Sequence, residues 1–212
     1  MSQDWFIPPW LPNAPYAPVF QVRDTLHKYG RYAPEVKTIT VADLIKFHGH
    51  LCGGLMEAAV AFRAAFNTLF GEGWIDRTDL EILGNNSACG GDVAAYLTGA
   101  RVRLGSQSID LALSGGEFYI RRVSTDQTVH VHLRDGVYPP ELQAQTRRVL
   151  SEAREPADID RFGELQWAYA RRLTEMPPAD AFQVDRLERF DWTAPTCPKL
   201  GRRSDNDFKN AP

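Results

Sequence analysis

Twice in this chain a polar, glycine-bearing stretch delivers a cysteine to the threshold of a helix. The first is His48-Gly49-His50-Leu51-Cys52-Gly53-Gly54, and the second is Asn85-Asn86-Ser87-Ala88-Cys89-Gly90-Gly91-Asp92. After the first, Leu55, Ala59, Phe62, Phe66 and Leu69 recur at helical spacing, which predicts a helix from Cys52 or Gly53 to about Phe70, ended by Gly71 and Gly73. After the second, the run from Val93 predicts a shorter helix stopped by Gly99. The two stretches are not a sequence repeat, but they use one device. A thiol beside a helix N-terminus sits in the positive end of the helix dipole, which favours the thiolate.

Thiolate and imidazole are the preferred ligands of zinc and its neighbours. His48, His50 and Cys52 therefore form the strongest chemical signal in the chain. If the segment is extended, all three project to one side. Cys89 is the candidate distant partner, and Asp92 faces the same pocket if its turn closes around a site. The bland alternatives are definite: a lone cysteine behaves as a small buried hydrophobe, and Asp92 complements a helix dipole with Asn86 or Ser87 as cap.

His130 and His132 share one face of the strand-like TVHVHL, but a third donor is missing locally, so a solvated strand face is expected. Gly115-Gly116-Glu117-Phe118 spells a diguanylate cyclase tetrapeptide without the rest of that pattern, and is read as a hairpin turn. The sequence has no P-loop, G-x-G-x-x-G fingerprint or H-E-x-x-H helix.

The remaining segments set the fold class. Residues 1–18 interleave Pro8, Pro9, Pro12, Pro15 and Pro18 with Trp5, Phe6, Trp10 and Tyr16, which predicts an extended arm packed on the domain or on a second copy of the chain. Residues 22–30 read as a short helix. Thr40 and Asp43 spell a capping box for the helix that follows. Leu80–Leu83 reads as a strand, as do IDLAL, EFYIRRV and TVHVHL, with hairpin breaks at SGG and STDQ. A helix is expected at 141–153, another from a cap at Asp158 to about Glu175 with Ile159, Phe162, Tyr169 and Leu173 on one face, and a short strand at Phe182–Val184. The pattern is α+β: an antiparallel hairpin sheet packed with helices in a single core domain. The expected division is an arm and short helix at 1–38, the core at 39–192 and a loose tail at 193–212.

At 212 residues, 43% hydrophobic and 24% charged, the chain has a globular composition. Its apolar runs fall short of the ~20 residues of a membrane span. With a net charge of -3 and no basic block, nucleic acid is not an expected partner. Three scattered cysteines, Cys52, Cys89 and Cys197, make no disulfide framework, and without an export signal the expected compartment is the cytoplasm.

Phe47-His48-Gly49-His50-Leu51-Cys52-Gly53-Gly54 resembles the signature of the E-subunit family of formylmethanofuran dehydrogenases. Cys89, Asp92, Val93, Thr98 and Gly99 resemble its second segment, and the likeness spans residues 40–185. The resemblance implies an α+β core, often a homodimer, that binds a metal through His48, His50, Cys52 and Cys89, with Asp92 nearby. It also implies an association with molybdenum or tungsten enzymes of one-carbon metabolism. The chain departs from the family pattern at Gly53, where a proline is usual. It also lacks the C-terminal cysteine-based zinc finger, since only Cys197 lies there.

The reading favoured by these residues is a metal-dependent enzyme acting on an anionic or carbonyl-bearing small molecule. His48, Cys52 and Asp92 are the candidates for a chemical role. Zinc is the first choice of ion, and nickel, iron and copper also accept the ligand set. The competing readings are a metal carrier or accessory protein for a redox enzyme, and a closed structural site using all four ligands. The number of ligands around the ion, and whether a cavity reaches it, separate them.

Overall fold

The computed structural model describes residues 7–25, 35–102 and 106–192. A 3-10 turn at Leu11–Asn13 leads into strand β1 (Val19–Arg23), which pairs antiparallel with β2 (Lys37–Thr40). Helix α1 (Val41–His48) follows without a break. The Asp43 carboxylate accepts from the Thr40 amide and hydroxyl, both at 2.8 Å, which satisfies donors at the helix start. Helix α2 (Gly53–Phe70) ends at Gly71, whose φ of 64° only glycine adopts cheaply. Then come β3 (Ile75–Asp76), β4 (Leu80–Gly84), α3 (Ala88–Thr98), β5 (Gln107–Ile109), β6 (Phe118–Arg122) and β7 (Gln127–Leu133). Helices α4 (Pro140–Val149), α5 (Pro156–Thr174) and α6 (Pro178–Ala181) and strand β8 (Phe182–Leu187) follow.

The main sheet has the order β5-β4-β6-β7-β8, antiparallel except for the β4–β5 pair. A small sheet, β2-β1-β3, stands beside it. Helix α2 is apolar on nearly every face and is accordingly the centre of the core. Its alanines Ala58, Ala59, Ala61, Ala64 and Ala65 let α3, α5 and the sheet approach it closely. Phe62 packs edge-on against Phe118 of β6, and Phe66 against Phe20 of β1, so one helix ties both sheets together. Along β7, Val129 and Val131 point into this core, whereas His130 and His132 take the opposite face.

The α+β class and the single core domain are as expected from sequence. Several local expectations are corrected. Val22 and Arg23 belong to β1 and not to a helix, and residues 26–30 lie outside the described residues. Phe20 and Val22, in the 1–38 division expected to hold the arm and short helix, are fully buried in the common core. The proline-rich stretch contains a 3-10 turn that buries Leu11. Trp5, Phe6, Cys197 and the expected tail lie outside the described residues.

Helix α3 begins at Ala88, five residues before the apolar run, because the Ser87 hydroxyl caps it by accepting from the Gly90 amide at 3.2 Å. IDLAL is mostly turn. Strand β5 runs parallel to β4 at the sheet edge, so SGG closes no hairpin, whereas STDQ does join β6 to β7. Helix α4 ends at Val149, and the cap of α5 is Glu155, with Asp158 returning a carboxylate to the Glu155 amide at 2.8 Å. Ile159 is exposed.

Candidate metal centre

Three helices meet at one corner of the core, and each brings one donor. Helix α1 stops at His48 because Gly49, at φ 98°, turns into the left-handed region while its amide bonds the Ile45 carbonyl at 2.8 Å. Leu51 then buries itself and pins the connection. Cys52 is the N-cap of α2, with extended backbone, and its sulfur accepts from the Leu55 amide at 3.3 Å. Cys89 sits in the first turn of α3. A Cβ on Gly54 would stand 3.0 Å from the Cys89 sulfur, so the missing side chain is what lets the two helix mouths close on each other.

The donors form a triangle. The two sulfurs are 3.5 Å apart, and His48 Nε2 lies 3.9 Å from Cys52 Sγ and 3.7 Å from Cys89 Sγ. On a tetrahedral zinc with Zn–S of about 2.3 Å and Zn–N of about 2.05 Å, the S···S and S···N edges are about 3.8 and 3.6 Å. Each edge thus lies within about 0.3 Å of the one such an ion would set, so small side-chain adjustments would seat it. Asp92, three residues beyond Cys89 on α3, reaches His48 Nδ1 at 2.7 Å. A carboxylate there keeps the proton on Nδ1 and turns the Nε2 lone pair toward the sulfurs. The His48 side chain is only 6% exposed, which fixes the ring in place.

Electrostatics favour a negative pair. The hydrogen bond from the Cys89 thiol lowers Cys52 to about 7, aided by the Leu55 and Gly54 amides and opposed by burial and the Glu57 charge. Cys89 is pushed up, because it gives that hydrogen bond, is desolvated, and would ionise beside a thiolate. The pair thus gives up its first proton near neutral pH and keeps the second. Metal binding would displace it.

His50 stays outside the triangle. The expectation of a single extended H-x-H-x-C face does not hold, since α1 continues through His48 and Gly49 reverses the chain. The His50 ring lies against that of His48, with centroids 4.6 Å apart, and is itself exposed. A cavity of about 330 Å³ opens at Cys52, walled by His50, Phe162, Gln166 and Trp167. Burial first, then the His48 ring, lowers the His50 pKa.

Two features escape a reading of the sequence. The third donor missing beside His130 and His132 comes from across the sheet: β7 and β8 pair His130 with Asp185. Glu57 is a buried carboxyl on α2, holding the Tyr169 hydroxyl at 2.5 Å, and burial raises its pKa against the effect of that hydrogen bond. A glutamate inside an otherwise apolar stretch of helix is the available signal.

Fold and site together define an α+β protein whose helix mouths present a mixed thiol–imidazole donor set able to hold a metal ion. A family model described as FmdE, molybdenum formylmethanofuran dehydrogenase operon, matches residues 47–183, and the chain belongs to this family. Among solved structures, a tungsten formylmethanofuran dehydrogenase FmdE-like protein from Syntrophus aciditrophicus is similar at 15% identity and a TM-score of 0.45, covering 72% of this chain and 74% of that one. No curated protein matches. Among the described residues, no helix is long and apolar enough to cross a membrane.

Proposed function

We propose that this protein is a metal-dependent enzyme, with a divalent ion, zinc first among the candidates, held by His48, Cys52 and Cys89. One observation carries the reading: three donors converge while a cavity opens at one of them. Three protein ligands leave a tetrahedral ion one position for a small molecule, the mark of a catalytic rather than a structural site. A closed four-ligand site would need His50, which stays outside the triangle.

When bound, the ion supplies Lewis acidity to whatever occupies that position. The chain's own residues do the rest. Asp92 holds the Nδ1 proton of His48 and so keeps Nε2 a ligand. The N-termini of α2 and α3 stabilise negative charge on the two sulfurs. His50 and Gln166 offer hydrogen bonds to an anionic or carbonyl-bearing molecule in the cavity, and Phe162 and Trp167 exclude water from one side of it.

Elemental analysis of protein purified without a metal-affinity tag tests this reading. The expected result is an ion whose absorption, after exchange for cobalt, shows thiolate-to-metal charge transfer. Cys52→Ala should lose that ion with an unchanged far-ultraviolet circular dichroism spectrum. Retention of the ion by Cys52→Ala, or absence of thiolate ligation in the parent, overturns the assignment. Collapse of the fold in Cys52→Ala transfers support to the structural reading.

A further inference from the structure

A second donor set lies on the opposite face of the main sheet from α2. His130 and His132 of β7 and Asp185 of β8 each place a ligand atom within 4.8 Å of the others. His130 and His132 border a cavity of about 850 Å³, whose walls also include Glu57, Glu117, Tyr138 and Arg147. No lining residue is shared with the cavity at Cys52.

The rings are held in a column. Phe190 stacks on Tyr119 at 4.5 Å, Tyr119 on His130 at 4.3 Å with an interplanar angle of 6°, and His130 on His132 at 4.9 Å. Glu117, from the Gly115-Gly116 turn, meets His130 Nε2 at 2.9 Å. Asp185 is oriented by Gln183, whose side-chain amide reaches both carboxylate oxygens at 3.0 and 2.9 Å.

One distance argues against two plain histidine–carboxylate pairs. His132 Nε2 and Asp185 Oδ2 are 3.6 Å apart, too far for a hydrogen bond. A nitrogen and an oxygen on one tetrahedral zinc stand about 3.4 Å apart, given bond lengths of about 2.05 and 2.1 Å. The gap suits an ion between them better than a shared proton.

We propose that His130, His132 and Asp185 form a second site for a divalent first-row metal, distinct from the thiol corner, with Glu117 as the residue that positions His130. Two imidazoles and one carboxylate are a harder set than the thiol triangle. They suit iron(II), zinc or manganese and leave coordination positions open. The adjoining cavity is within the size range of small-molecule sites, and a metal held by this harder set favours an oxygen-donor ligand such as a carboxylate at its open positions. The carboxylate–histidine contact at Glu117 is the usual support of a metal-binding imidazole.

Cobalt(II) titration of the metal-stripped full chain tests the assignment, read by equilibrium dialysis and absorption. The parent should bind two ions at micromolar cobalt, one with thiolate charge transfer and one without. Cys52→Ser/Cys89→Ser should keep only the ion without charge transfer. His132→Ala and Asp185→Asn should each lose that ion and keep the thiolate band, and Glu117→Gln should weaken it about tenfold. The proposal is overturned if parent binding stops at one thiolate-ligated ion, if the second appears only at millimolar cobalt, or if His132→Ala and Asp185→Asn leave it unchanged. The thiolate band reports separately on His48, Cys52 and Cys89, so the two assignments fail independently. Should the double cysteine variant not fold, the His132→Ala and Asp185→Asn titrations decide alone.

Discussion

The thiol corner and the histidine column solve one chemical task with different architecture. In the corner, each donor comes from a different helix end: His48 closes α1, Cys52 opens α2 and Cys89 lies in the first turn of α3. The N-termini of α2 and α3 supply positive field at the two sulfurs, and the buried His48 ring, at the C-terminal end of α1, cannot turn away. In the column, period-two geometry of β7 and the register with β8 set the donors, and the side chains are half-exposed. Helix ends thus give soft, charged ligands a pre-organised pocket, whereas a strand pair gives neutral imidazoles a wall. The corner is expected to bind more tightly and to resist solvent exchange.

The sharpest way to break this contrast is at the sulfurs. Cys89→Ala leaves two donors, His48 and Cys52, and should abolish tight binding at the corner. The column should be unaffected, since no residue is shared. Metal content after dialysis against a chelator measures it, and equal losses at both sites would refute their independence. Next in size is Asp92→Asn. The amide cannot hold the Nδ1 proton of His48 as a carboxylate does, so corner affinity should fall by about 10–100-fold with the fold intact. A competition titration with a chromophoric chelator reads this directly. An unchanged affinity would reduce Asp92 to a dipole complement of α3.

What sequence reading recovers depends on how locally each element is encoded. Helices α1 and α2 follow from Thr40, Asp43, the apolar spacing and Gly71, all neighbours in sequence. Helix α3 starts early with Ser87 as its cap, although two helical glycines, Gly90 and Gly91, hide that start from a reading by propensity. Strand β5 escapes because its partner β4 runs parallel, a pairing that no hairpin signal announces. His48, Cys52, Cys89 and Asp92 can be named from residue type, but excluding His50 from the triangle needs the left-handed turn at Gly49. Asp185 is invisible beside His130 and His132, since only strand register brings it there.

One carboxyl touches both regions. Glu57 lines the large cavity, and its charge opposes ionisation of Cys52. Its folded pKa is raised, so its contribution to stability is fully present below the unfolded value of about 4.3 and is lost as pH rises through the folded value. Glu57→Gln carries no such titration. Urea melts across that range should show the variant gaining on the parent as pH increases. Parallel stability profiles would mean that this carboxyl ionises in the folded protein as easily as in the unfolded chain.

The smallest effect expected is also the most discriminating for the helix-end argument. Asp43→Ala removes both hydrogen bonds at the start of α1 and should cost ~1 kcal/mol of global stability, the usual size of a lost cap. His48 lies at the far end of that helix, held by Leu51, by Gly49 and by Asp92 on another element. A helix frayed at its start should therefore still present His48 correctly, so the corner should keep its cobalt affinity while the melting midpoint drops. If affinity falls in step with stability, the donor depends on the whole of α1. The pre-organisation credited here to the His48–Asp92 contact would then belong to the helix.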